Sequence, residues 1–294
     1  MAEQKIEFRK IRDFSENLND TFLFIKQNFK PLVISFLTIA GVFILANSIF
    51  NGIYQSRMEG FFRQIFSGGR ASAGYPYQML GGSSILLPIL GWLSMTAMQV
   101  TIIAYIKVYE LKQREEATVA EVWEEFKAYY FKVLIYSIPV YLLSLLGYVF
   151  CIAPGVYFTV VFLPFPVLLM VENVSFNGAY NRCFEIIKNN WWQSFVIYLV
   201  VYLIYAFSAA IISYTMAGVA GLLSYFTTND LSATIGIATS VLSVFSFVFY
   251  IIFYVSVAMH YFTLAEKLDG TGMLQRLDRL GEKGGDFDNI KEQY

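Results

Sequence analysis

A chain of 294 residues that is 57% hydrophobic, 18% aromatic and only 15% charged carries more apolar surface than a water-soluble fold of its size can bury. Its formal net charge of −1 offers no basic field to recruit nucleic acid. Two cysteines and one histidine exclude a disulfide framework, and with it the zinc, haem and non-haem iron centres that need several such ligands.

The first 30 residues are polar and amphipathic. They hold no short apolar run before a small-residue cleavage site, so no cleavable signal peptide is expected. Uncharged stretches then follow at 31–56, 71–106, 128–171 (interrupted only by Lys132), 189–229 and 231–265. About 20 apolar residues cross the roughly 30 Å hydrocarbon layer as a helix. The first two stretches hold one span each, the third is divided by Pro154-Gly155 into two, and the last two hold one each. Six spans are predicted, near 31–53, 82–106, 132–151, 155–171, 193–217 and 233–262. Lys132 stands at a span start, where its amine snorkels to the interface. Pro164 and Pro166 predict a bend in the fourth span.

Basic residues orient the bundle. Segments 1–30, 107–132, 172–192 and 263–294 hold six, five, two and five of them, 18 of the 21, and only Arg57, Arg63 and Arg70 fall in outer loops. Both termini are therefore expected in the cytoplasm. Cys151 then lies at an outer turn and Cys183 inside, a membrane apart.

The segments preceding spans one, three and five look alike. At a constant offset of 162, Asn19, Phe22, Ile25, Lys26 and Asn28 match Asn181, Phe184, Ile187, Lys188 and Asn190, and Phe29 matches Trp191. A weaker middle copy places Trp123, Phe126, Lys127 and Tyr130 at offset 101 from Phe22, Ile25, Lys26 and Phe29. Each copy is amphipathic: Phe14, Leu18, Phe22, Ile25 and Phe29 in the first, Phe176, Tyr180, Cys183, Ile187 and Trp191 in the third. Thr118 with Glu121 reads as a capping box opening the middle one. Such helices lie in the interface with their apolar face in the acyl boundary. The fold class expected is an all-α integral membrane protein: one six-span domain over 1–265, built as three parallel repeats of interfacial helix plus helical hairpin (about 14–110, 118–172 and 175–266). A cytoplasmic amphipathic tail covers 266–294.

No phosphate-binding loop, nucleophile elbow or metal triad is present. Each repeat ends on a carboxylate, Glu110, Glu172 or Glu266. These read either as ordinary boundary charges or as a ring around a cytoplasmic vestibule. The outer segment 54–81 is aromatic, with Phe61, Phe62, Tyr75 and Tyr77, and is the extracytoplasmic contact candidate. The tail stripe containing Leu274 and Leu277 packs on the body or docks a partner. His260, near the cytoplasmic end of span six, reads as a satisfied interfacial histidine. Asn47, Asn51, Gln99, Thr101 and Gln193 read as helix-to-helix hydrogen-bonding groups. Small residues at 208–210 and 217–221 suit close helix approach.

Residues 151–157 (Cys-Ile-Ala-Pro-Gly-Val-Tyr), Pro164, 170–173 (Met-Val-Glu-Asn) and 178–191 together resemble a broad group of bacterial six-span inner-membrane proteins. That group includes the membrane domain attached to some glycerophosphodiester phosphodiesterases, and residues 261–267 with 274–281 resemble its Bacteroidota branch. The resemblance implies a bacterial inner membrane and an all-helical fold. It transfers no catalytic residue, because no segment outside the membrane is large enough to hold the phosphodiesterase domain. The function expected is that of a non-catalytic accessory or scaffold subunit of an envelope complex, with the bilayer and other membrane proteins as partners and no cofactor. The alternative is a transporter or lipid-handling protein with a cavity for an apolar or lipid-like ligand. A membrane enzyme would need Glu110, Glu172 and Glu266 to converge.

Overall fold

A computed structural model of the chain describes residues 5–66, 82–112, 115–227 and 246–270. Among these residues the structure is helical without a strand. The helices are α1 (Phe14–Gln27), α2 (Phe29–Ile39), α3 (Gly41–Phe66), α4 (Gly82–Leu111), α5 (Val119–Phe150), α6 (Ile152–Phe162), α7 (Phe165–Val171), α8 (Phe176–Ile187), α9 (Trp191–Thr227) and α10 (Tyr250–Asp269). Five helical stretches are long and apolar enough to cross a membrane, six if α1 and α2 count as one broken span. The chain is a multi-pass membrane protein.

Local chemistry sets the helix starts. Asp13 accepts the Glu16 N–H at 2.7 Å while the Glu16 carboxylate accepts the Asp13 N–H at 3.2 Å, a reciprocal cap that opens α1. Thr118 and Glu121 form the same box at α5, as the sequence predicts. Thr118→Ala is expected to destabilise the protein by about 1 kcal/mol, the worth of an N-cap, with Thr118→Ser restoring it. Thermal unfolding in detergent checks this; equal melting temperatures for wild type and alanine variant would refute it. Ser175 caps α8.

The boundaries of α1 and α8 fall 162 residues apart, at Phe14 and Phe176, and so do the starts of α2 and α9, at Phe29 and Trp191. The amides of Leu32 and Ser194 bond the carbonyls of Asn28 and Asn190 at that same spacing. The middle segment differs. Residues 119–130 are not a separate interfacial helix but the start of α5, which at 32 residues runs about 48 Å without a break. Nothing at 128–132 could stop it, since neither glycine nor proline is present. The predicted outer loop 54–81 is likewise helical to Phe66.

Two of the amphipathic faces lie differently from each other. On α1 the buried residues are Asn17, Thr21 and Phe24, and the apolar stripe leaves Phe22 and Phe29 exposed, as an acyl boundary requires. α2 turns away from α1 by 80°. On α8 the stripe faces protein instead: Phe176 packs edge-on to Phe165, and Tyr180 and Phe184 contact Phe162.

Burial divides the long helices. Residues 96–106 of α4 and 253–264 of α10 are buried without interruption. Helices covered all round form the centre of a bundle. α4 packs against α2, α3, α5, α7 and α10, whereas α5 and α9 turn Leu146, Val149, Phe207 and Ile211 outward, where the bilayer is the solvent. The close approach foreseen at 217–221 falls largely on side chains outside the described set, and at Gly218 no described residue comes near. A close approach does occur between Gly147 of α5 and Gly155 of α6.

Candidate functional site

One end of the bundle is charged and closed. Residues 5–12 fold across it, with Phe8 fully buried among Phe24 of α1, Tyr109 of α4 and Phe262 of α10. The Tyr109 hydroxyl donates to the Ile6 carbonyl at 3.2 Å. Arg12 is 2% exposed. Its guanidinium donates to Asp20 at 2.8 Å, to the carbonyls of Phe8 and Lys10 at 2.7 and 3.1 Å, and to the Glu7 carbonyl.

The three candidate carboxylates sit at this end, each with its own partners. Glu110 accepts the Phe8 N–H at 3.4 Å and lies 4.0 Å from Arg9. Glu172 accepts the Tyr261 hydroxyl at 2.8 Å and lies 3.5 Å from Arg182. Glu266 is buried on α10. Among the described residues no group of three His, Cys, Asp or Glu could hold a metal ion. Arg182 also pairs with Glu185 at 2.9 Å and with Asp269. Burial alone would lower its pKa, but the bonds to Asp269 and Glu185 and the charge of Glu172 outweigh that and raise it. Burial pushes the Cys183 thiol up, with Glu172 adding to the shift, so it stays protonated and a poor nucleophile.

Several polar residues within the spans bond other helices or their own. Ser194 and His260 pair at 2.8 Å, Ser256 donates to Asn17 at 2.8 Å, and Gln99 donates to the Tyr141 hydroxyl at 3.2 Å. Thr101 donates to the Ala97 carbonyl of its own helix, and Gln193 accepts from Lys267. Lys132 reaches Asn173 at 3.1 Å. Phe61 and Phe62 lie on α3 with side chains outside the described set, and Tyr75, Tyr77, Leu274 and Leu277 lie outside the described residues.

Two cavities flank α5. A cavity of about 660 Å³ opens between α3, α4 and α5. Its described walls are mostly apolar (Met95, Met98, Leu142, Leu145) and carry Asn47, Trp92, Ser94 and Tyr141 as polar groups. Ser94 donates to the Phe43 carbonyl at 2.7 Å. The buried indole N–H of Trp92 finds no acceptor among the described residues. A second cavity of about 360 Å³ lies on the other side of α5, against α6, α7 and Tyr254, and shares Tyr141 and Leu145 with the first. Nothing in the sequence pointed to Trp92, because one more aromatic inside an apolar span carries no signal of a cavity. Comparison with family models, with curated proteins and with solved structures finds no match to this chain.

Proposed function

We propose that the protein is a lipid-handling membrane protein that takes an apolar or lipid-like ligand from the side into the cavity between α3, α4 and α5. One observation carries this: a cavity in the size range of ligand sites, about 300–1,000 Å³, apolar-walled with a few polar groups. The reading is one of binding without a chemical step. The closed charged end and the packed α4–α10 centre favour lateral entry over a path through the bundle.

The setting proposed with it is a bacterial inner membrane with both termini in the cytoplasm, from the bias of basic residues and the family resemblance. The matching boundaries of α1–α2 and α8–α9 support a repeat between the first and third units. Native mass spectrometry of protein purified from its own membrane in mild detergent tests the function. A bound lipid-sized adduct is expected, lost in the cavity-filling Gly91→Phe and kept in Gly91→Ala. Protein that carries no adduct, or an adduct indifferent to these changes, would refute the reading; a stoichiometric protein companion in its place would favour an accessory subunit.

A further inference from the structure

We propose that the α5–α6 hairpin is re-entrant: its turn at Cys151 ends among the acyl chains inside the membrane, and both of its ends return to the charged face.

Depth within the bundle follows from side-chain contacts. Ser194 bonds His260 and Gln193 bonds Lys267, so the start of α9 is level with the charged end of α10. The Trp191 ring stacks on Tyr157 of α6 with centroids 6.0 Å apart. Ala153 lines the same groove of about 520 Å³ as Lys188, Asn190, Trp191 and Trp192. Cys151 is six residues before Tyr157, about 9 Å of helix. That length, even with the reach of two aromatic side chains, falls short of the roughly 30 Å to the opposite surface. At the other end of the hairpin Lys132 and Asn173 bond each other, which places both of its feet on one level.

The proposed lean has a local cause. Pro139 lies inside α5, and Pro164 separates α6 from α7. Ser137 faces Phe165 and Pro166 across one cavity, so the prolines of the two antiparallel helices stand at one height. A proline within a helix removes a backbone bond and kinks it. The hairpin therefore leans over as a unit toward the α8–α9 junction.

The tip is built for hydrocarbon. Residues 147–157 contain no Asp, Glu, Lys, Arg, Asn or Gln. Val149, Phe150 and Ile152 are 74%, 84% and 74% exposed, with none of the described residues over them. The connection is one residue long. The Cys151 amide bonds the Gly147 carbonyl, the Gly155 amide bonds the Cys151 carbonyl at 3.4 Å, and Pro154 has no amide to satisfy. Lipid-exposed backbone must be satisfied internally in this way. A turn emerging into water would have no need of such a tip.

The test uses Cys151 as the only thiol, in a Cys183→Ala background. In sealed vesicles a membrane-impermeant maleimide is expected to leave Cys151 unlabelled from either face, while the same reagent labels it once the membrane is dissolved in detergent. Lys188→Cys, with both native cysteines replaced by alanine, should react with the impermeant reagent from one face only and so marks the charged side. Labelling of Cys151 by the impermeant reagent from the opposite face would overturn the proposal. Independently, Ala153→Cys and Trp192→Cys should be joined by a short bis-maleimide. In a hairpin that crosses the membrane the two stand on opposite sides, so failure of the cross-link in protein with wild-type thermal stability would also overturn it.

Discussion

Arg12→Met is expected to cost about 3–5 kcal/mol, the usual loss when one partner of a buried ion pair is removed. Much of a membrane protein's margin over unfolding is of that order, so little folded protein should survive detergent extraction. Arg12 is the centre around which residues 7–10 are wrapped, since one guanidinium satisfies three backbone carbonyls and Asp20. Methionine fills similar space but donates nothing, which leaves those acceptors unmet and Asp20 without its cation. Adding Asp20→Asn should recover part of the loss. Lys10→Met is the control: its amine pairs with Glu16 at 3.4 Å on an exposed surface, where such pairs contribute roughly 0–1 kcal/mol. Folded yield by fluorescence-detected size exclusion distinguishes the two; equal yields would show that the 5–12 segment does not depend on Arg12.

Gly147→Ala should be the more damaging of two glycine substitutions at the hairpin, and by a clear margin. A Cβ at Gly147 would stand 2.9 Å from the Gly155 amide nitrogen and 3.0 Å from its Cα, both backbone atoms of the facing helix. No rotamer relieves that contact, so α5 and α6 must separate. Overpacking of this kind costs typically 1–3 kcal/mol. A Cβ at Gly155 meets the Tyr148 ring at 2.4 Å, but Tyr148 is 44% exposed and can swing toward lipid, giving up its 3.1 Å bond to Thr159. The expected order of melting temperature is wild type, then Gly155→Ala, then Gly147→Ala. A reversed order would mean that the helices separate more easily than the tyrosine turns.

The sequence was most informative where one residue type has one job. Charge-free runs mark α4, α9 and α10, Thr118 with Glu121 marks the start of α5, and Pro164 marks the break before α7. The six-span reading depended on counting each run of about 20 apolar residues as a crossing, and counting carries no information on tilt. Nor does it tell lipid-facing from protein-facing helices. The most buried helix, α10, is less hydropathic than α9, which is hardly buried at all, because buried helices hold the polar groups that bond their neighbours. Ser256, His260 and Thr263 of α10 are such groups. The cavity beside Trp92 was illegible for a different reason: it is a gap among three helices, and no stretch of sequence encodes a gap. The carboxylates at 110, 172 and 266 were legible as boundary residues, but Arg9 beside Glu110 and Tyr261 beside Glu172 come from segments far away in the chain.

The bond from Ser256 to Asn17 joins positions 239 residues apart, and Thr263 reaches the Lys10 carbonyl at 3.4 Å across a similar distance. α1 and residues 5–12 can pack on each other and on α4 earlier, but their seam with α10 stays open until α10 has been synthesised and inserted. Through most of translation the nascent chain carries that unfinished seam, with Asn17 lacking Ser256 and Phe8 lacking Phe262. Contacts of such high sequence separation are slow to form, and chains waiting for them are prone to misassembly. A ribosome that stalls before residue 250 leaves a product with an open side, which membrane proteases can recognise, so quality control of this protein is expected to act on its last helix.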